Sequence, residues 1–305
     1  MGDIALVTGA HGFIGRHVAR HLAAAGWVVR GIGHGDWTRE QWRSWGLADW
    51  RQADVALDPL VTYGGDPAVI VHCAGGASVG FSVAHPYQDF VRTVTSTAAV
   101  LEYARLHATR ARVILASSAG VYGEASPGPI PEAAPLLPVS PYGAHKAAAE
   151  ELCRSYARSC GVPSVRVRLF SVYGAGLRKQ LLWDACNKVS HGDTGFGGTG
   201  GELRDWLYVT DAASILAAAI PVASTDCPVV NGGTGRAAST REILVALLDS
   251  LGVADEPRFS GAARPGDPMS LVADAAQAYA LSWRPAVAWE QGVAEYAAWY
   301  RAGAA

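Results

Sequence analysis

Two residues in the middle of the chain have types and spacing suited to moving a proton. In SPYGAHKAAAE, Tyr142 and Lys146 stand four apart, which on a helix puts them on one face. A free phenol titrates near about 10 and is a poor base at neutral pH, whereas a neighbouring ammonium favours phenolate and moves it toward the useful range. Upstream, VILASSAGVYGE supplies Ser117 and Ser118 just past an apolar run. A hydroxyl there can bond a reacting oxygen and relay its proton to Tyr142, so Ser118 is read as the third member of the set. YxxxK alone is common on solvated helix faces, and its weight comes from a second motif at the start of the chain.

That motif is TGAHGFIGRHVARHL, with Gly9, Gly12 and Gly15 in GxxGxxG spacing directly after an apolar run. A pyrophosphate needs such a turn, because bare backbone must approach it at a helix N-terminus whose free N–H groups favour negative charge. Phe13 and Ile14 belong to the same turn. Sites for NAD carry a carboxylate about 20 residues beyond the glycines. Here that position reads GIGHGDW, with Gly33 and His34. A ribose phosphate fits beside Gly33 without charge repulsion, and His34 or Arg39 can pair with it, so NADP is expected over NAD, while Asp36 keeps NAD open. Asp54 and Val55 of QADV stand where a carboxylate can accept from an adenine amino group. The run VIVHCAGG ends in Cys73, Ala74 and Gly75, small enough for backbone to pass close to a cofactor.

These residues need elements to hold them. Apolar runs near Ile4 to Val7, Val28 to Ile32, Val69 to Val71, Val113 to Ser117 and Val165 to Leu169 read as strands, with helical patterns between them. That alternation predicts an α/β fold, a doubly wound parallel sheet with helices on both faces. The helix after Ser140 is the best punctuated, with a serine cap, Pro141 at its first position and Gly161 past its end. WTREQWRSWGLADW reads as a short helix opened by a Thr38/Gln41 capping box, with Trp42 and Trp45 packed on a sheet edge. Beyond residue 170 glycine clusters loosen the pattern. Residues 1–170 are therefore expected to form a dinucleotide-binding domain and 171–305 mainly a substrate lobe, with one strand near 228–231 returning to the sheet and a helix from about Thr240 to Leu251.

Composition closes off other classes. In 305 residues, half are hydrophobic and 17% charged, with 25 Lys+Arg against 27 Asp+Glu. Nucleic acid and anionic membranes are thus not expected partners. The longest apolar stretch, around Ala212 to Ala223, is shorter than the ~20 residues that span a bilayer. The N-terminus has no cationic run of a secretory signal, and Leu6 stands where myristoylation would want Ser or Thr. The five cysteines include no CxxC pair, so no metal site or disulfide framework is expected, and the cytoplasm is the expected compartment.

Taken in order, VTGAHGFIG, VIVHCAGG, ASSAGVYG, PYGAHK, RLFSVYGAGLRKQ, GELRDWLYVTDAA, VVNGGTG, RPGDPMSLVAD and LSWRP resemble the extended short-chain dehydrogenase/reductase family, in its nucleotide-sugar epimerase/dehydratase branch. The resemblance covers essentially the whole chain. It implies that Ser118, Tyr142 and Lys146 are the catalytic hydroxyl, the base and the ribose-binding lysine. It also implies that Arg204 and Arg264 face the diphosphate of a sugar nucleotide, that Asp267 lies by the nucleoside ribose, that Ser171 stands at a substrate-contacting position, and that Phe196 lies in the loop over the nucleotide base. Thr93 departs from the asparagine usual near the active-site backbone. Ala119 and Gly120 replace the acid pair of the dehydratases, which disfavours 4,6-dehydration. The resemblance therefore implies an NAD(P)-dependent epimerase acting at a sugar carbinol, C4 in the first instance. The alternatives are a 4-keto-6-deoxy-sugar reductase that consumes NADPH and a non-catalytic dinucleotide sensor. Pairing of the helices around Asp89 to Leu106 and Tyr142 to Cys160 implies a homodimer.

Overall fold

A computed structural model describes residues 2–124, 128–262 and 268–304. Strand β1 (Ile4–Thr8) leads through the glycine turn into helix α1 (Phe13–Ala24), then β2 (Val28–Gly33), α2 (Arg39–Ser44), β3 (Leu47–Gln52), α3 (Leu57–Tyr63) and β4 (Val69–His72). Two short helices, α4 (Val79–Ala84) and α5 (Pro86–Phe90), pass through a π-helical turn at Val91–Thr95 into α6 (Ser96–His107). Then come β5 (Arg112–Ser118), α7 (Pro141–Cys160), β6 (Ser164–Leu169), β7 (Ser171–Tyr173), α8 (Gln180–Val189), β8 (Gly195–Phe196), β9 (Leu203–Tyr208) and α9 (Val209–Ala218). The chain finishes with β10 (Val229–Gly232), β11 (Ala237–Ser239), α10 (Thr240–Leu251), β12 (Arg258–Phe259), β13 (Ser270–Leu271), α11 (Ala276–Ala280) and α12 (Trp289–Trp299).

Seven strands form one parallel sheet in the order β10-β6-β5-β4-β1-β2-β3. Alternation along each strand feeds two cores. Ala5 and Val7 of β1, Val69 and Val71 of β4, and Ile114 of β5 pack with Val18 and Leu22 of α1 and Ile215 of α9. Leu6, Ile70, Val113 and Leu115 point the other way, onto Leu101 of α6 and Ala149 and Cys153 of α7. A strand buried on both faces must be apolar throughout, which is why these runs show no polar alternation. The strand order reverses between β1 and β4, and a crevice opens there at the carboxyl ends of the strands.

The capping signals hold at atomic level. Ser140 accepts from the Gly143 N–H at 3.2 Å, and Gly161 ends α7 with φ of 72°. Thr38 and Gln41 form the reciprocal capping box. The tryptophan-rich segment is corrected in one respect: its helix stops at Ser44, and Gly46, at φ of 82°, turns the chain so that Leu47–Gln52 becomes the edge strand β3. That strand is the third one expected to end just before Asp54, and its polar edge residues carry too little periodic signal to mark where the helix gives way to it. Smaller sheets of β11-β9-β13 with β7, and of β12 with β8, build the rest of the smaller lobe around Leu182, Ile243, Leu247 and Tyr296. Among the described residues, no helix is long and apolar enough to cross a membrane, and the five cysteines are unbridged.

Candidate active site

The glycine turn works by close approach. Gly9 has φ of 69°, and a Cβ added to it would lie 2.7 Å from the Ala74 nitrogen. At Gly15 an added Cβ would lie 2.2 Å from the Gly9 carbonyl oxygen. Helix α1 starts after Gly12 with no side-chain cap, so its first N–H groups remain available to an anion. Gly9, Gly12, Phe13, Ile14 and Gly15 all line one cleft of about 1670 Å³. This is a cradle that a dinucleotide pyrophosphate fits. Gly33, His34, Asp54 and Val55 line the same cleft further out. There the His34 imidazole pairs with the Asp54 carboxylate, with the two side chains 67% and 81% exposed. Asp36 and Arg39 do not line it.

At the other end, the first turn of α7 brings Tyr142 and Lys146 together beside the end of β5. The Ser118 hydroxyl accepts from the Gly120 N–H at 3.1 Å and lies close enough to the Tyr142 phenol to favour its phenolate. In place of the downward shift expected from Lys146, burial pushes the phenol above its usual range, Ser118 opposes that rise and the Asp89 charge adds to it. The Lys146 ammonium donates to the Ala116 carbonyl at 3.0 Å. A Cβ on Gly75 would lie 3.2 Å from that nitrogen. Burial lowers the Lys146 pKa, against the pull of Cys73, Asp89 and Glu150. Cys73 itself is pushed up to about 12 by burial, which keeps it a thiol.

Two expected cofactor contacts sit differently. Ser117 lines the cleft, but its hydroxyl donates to Glu150 at 2.6 Å, in a buried network where Arg168 holds Glu150 at 2.7 Å. Thr93 lies behind the wall, and its hydroxyl accepts from the Gly76 N–H at 2.8 Å. The contact expected to be weakened by replacing asparagine is thus remade as a brace for the Gly75–Gly76 backbone.

Sequence reasoning missed a second brace. Asp89 is fully buried and takes a 2.6 Å bond with His145 Nδ1, between Tyr142 and Lys146 on α7. Its other oxygen has no hydrogen-bond partner and abuts Gly76, where a Cβ would lie 1.9 Å away. The signal was the histidine inside PYGAHK; nothing local joins it to position 89.

The smaller lobe supplies the facing wall. Ser171, Phe196 and Arg204 line it, with the Phe196 and Phe259 rings 6.3 Å apart. Arg264 and Asp267 lie outside the described residues. Lys179 and Gln180, also missed, line the cleft where α8 begins. Gln180 takes φ of 68°, and the Lys179 amine donates to the Ala77 carbonyl at 3.0 Å.

A parallel sheet with a glycine-lined crevice, and a tyrosine–lysine pair at its far end, defines a nicotinamide-dinucleotide enzyme of the short-chain type. The chain belongs to the NAD dependent epimerase/dehydratase family, whose model matches residues 5–231. It is similar to the UDP-glucose 4-epimerase of Azospirillum brasilense, 32% identical over 88% of this chain and 83% of that one. To the UDP-glucose 4-epimerase of Mycolicibacterium smegmatis it is 31% identical over 97% of this chain and 98% of the other. The Thermus thermophilus UDP-glucose 4-epimerase, solved in complex with NAD, matches with a TM-score of 0.86 at 30% identity, covering 99% of this chain and 100% of that chain.

Proposed function

We propose that this protein is a nucleotide-sugar epimerase that oxidises a sugar carbinol, at C4 as in the named activity of its relatives, and reduces it again from the opposite face. The observation that carries the reading is the Ser118–Tyr142–Lys146 set at one end of a cleft whose other end is the open glycine turn. The Tyr142 phenolate takes the hydroxyl proton, directly or through Ser118, and returns it when the carbonyl is reduced. Lys146 stabilises the phenolate by its charge. A bound nicotinamide supplies a reversible acceptor for the hydride that leaves the same carbon. Because that hydride comes back, the cycle is redox-neutral and consumes no reductant. The smaller lobe holds the sugar nucleotide, with Arg204 toward the diphosphate and Phe196 toward the base.

For the cofactor, the geometry supports NAD over the expected NADP. The side chain that lines the cleft just past β2 is His34, and its ring is tied to the Asp54 carboxylate. A ribose phosphate there would meet that carboxylate, while Arg16 is drawn off to the His11 carbonyl and Arg39 stays outside the cleft.

Pairing of two copies through α6 and α7 is supported by exposed Phe90 and Leu106, which lie outside the cleft. On α7 the pattern is divided, since Ala149 is in the core and Cys160 is exposed.

The test is incubation of purified protein with UDP-, dTDP- and GDP-hexoses, following the epimer by NMR without added reductant. Epimer formation that Tyr142→Phe abolishes supports the proposal. Stoichiometric loss of NADPH absorbance on a 4-keto sugar, with no epimer formed, replaces it with a reductase.

A further inference from the structure

Lys179 presents a cation to the cleft that no carboxylate among the described residues neutralises. Its amine donates to the Ala77 carbonyl and makes no ion pair there. Its side chain is half-buried, and loss of water holds the ammonium below the usual lysine range. A desolvated ammonium held by one neutral acceptor is left short of interaction, and an anion would supply it.

Its position says which part of a ligand it meets. Ala77 follows Gly75, which lies against the Lys146 amine, and precedes Ser82, whose hydroxyl accepts from the Tyr142 N–H at 3.0 Å. The amine therefore stands at the proton-transfer end of the cleft, where the sugar must be. Arg204 diverges from it. In the register of β7 with β9, Ser171 pairs with Trp206, so Arg204 lies back along β9 while the chain runs forward from β7 to Lys179.

Charge at that end is one-sided. Lys146, Lys179 and Arg92 all line it, Arg92 lying over the Phe81 ring. Of the acids that line the cleft, Asp54 stands on the outer rim beside His34, Glu202 on the smaller-lobe wall, and Asp184 on α8 five residues beyond Lys179, with which it forms no ion pair. Glu202 is already bound to Thr199 and to the Gly200 N–H. Asp89 lies behind the wall, held by His145. The hydroxyls of a neutral hexose leave this excess of positive charge uncompensated.

We propose that Lys179 is the counter-charge for a carboxylate on the sugar, so that the site takes a nucleotide-activated uronic acid. The proposal rests on the nucleotide-sugar reading above. The carboxylate replaces the Ala77 carbonyl as the acceptor, and no covalent step is involved.

Calorimetry of the NAD-loaded protein with three ligands tests it: the free nucleoside diphosphate, its hexose conjugate and its hexuronate conjugate. UDP, UDP-glucose and UDP-glucuronate come first, with the dTDP or GDP series substituted if UDP does not bind. The wild type is expected to bind the uronate about tenfold or more tighter than the hexose, the ratio of one charge-assisted bond. Lys179→Met removes that ratio and changes binding of the free diphosphate less than twofold, while Lys179→Arg keeps the preference. Equal wild-type affinity for hexose and uronate overturns the proposal. So does a Lys179→Met variant that weakens the free diphosphate as much as the uronate, because the amine then serves the phosphates. Epimerisation of the neutral hexose alone defeats this inference and leaves the epimerase reading standing. Tight, Lys179-dependent uronate binding without turnover supports the site and defeats the epimerase reading.

Discussion

At one end of the cleft Lys146 is buried against Ala116 and Gly75 beside the half-buried Tyr142; at the other, His34 and Asp54 face solvent. The first pair has its chemistry set by desolvation, which raises the phenol and lowers the ammonium, so that two groups ordinarily near the same pKa stay in their neutral forms more readily. The second pair is an exposed contact, worth little in high dielectric. Polar groups side by side thus have their charge states shifted where water is excluded and scarcely interact where it is not.

The largest effect is expected from Lys146→Met. Turnover should fall about 10²–10⁴-fold, the usual range for a disabled acid–base step. The acid limb of the kcat profile should also move to higher pH, because the cation that favours phenolate is gone. An unmoved limb would show that the charge does not reach the phenol. Next is Gly15→Ala, whose new methyl must displace the Gly9 carbonyl. NAD affinity should drop about tenfold or more, read by calorimetry.

Burial also predicts a stability effect. His72 is 1% exposed between Thr8 and Thr97, and desolvation brings its pKa down to about 3. The unfolded chain therefore binds a proton that the folded one refuses. Stability is full above the unfolded value near 6.5 and falls as pH drops toward 3, by up to about 1.4 kcal/mol per pH unit from this group. His72→Gln should flatten that part of a urea-unfolding series against pH.

Asp89→Asn should move the acid limb of kcat to lower pH by up to about one unit, because the Asp89 charge raises the phenol. A shift upward would assign Asp89 a different role. The smallest effect belongs to the exposed end: His34→Ala should change NAD affinity less than about threefold, and a larger loss would show that this rim contributes to binding after all.

Much of the site was written locally. The glycine turn, the serine cap of α7 and the four-residue step from Tyr142 to Lys146 each lie within one turn or one helix, where spacing fixes relative position. The braces were not legible. Thr93 reaches Gly76 across 17 residues and Asp89 reaches His145 across 56. Lys179 meets Ala77 across 102. The start of the edge strand β3 escaped for another reason, since its polar residues show no clear period.

The sequence alone determined the parallel α/β sheet, because residues buried on both faces must be apolar, and it determined which residues could hold pyrophosphate and move a proton. Tertiary structure alone decided how those residues behave. Whether a phenol is desolvated, whether His34 is free for a phosphate or bound by Asp54, and which lysine enters the sugar end without a counter-ion all depend on segments far apart in the chain. Burial and Coulomb energy depend on distance in space, and only the folded chain sets those distances.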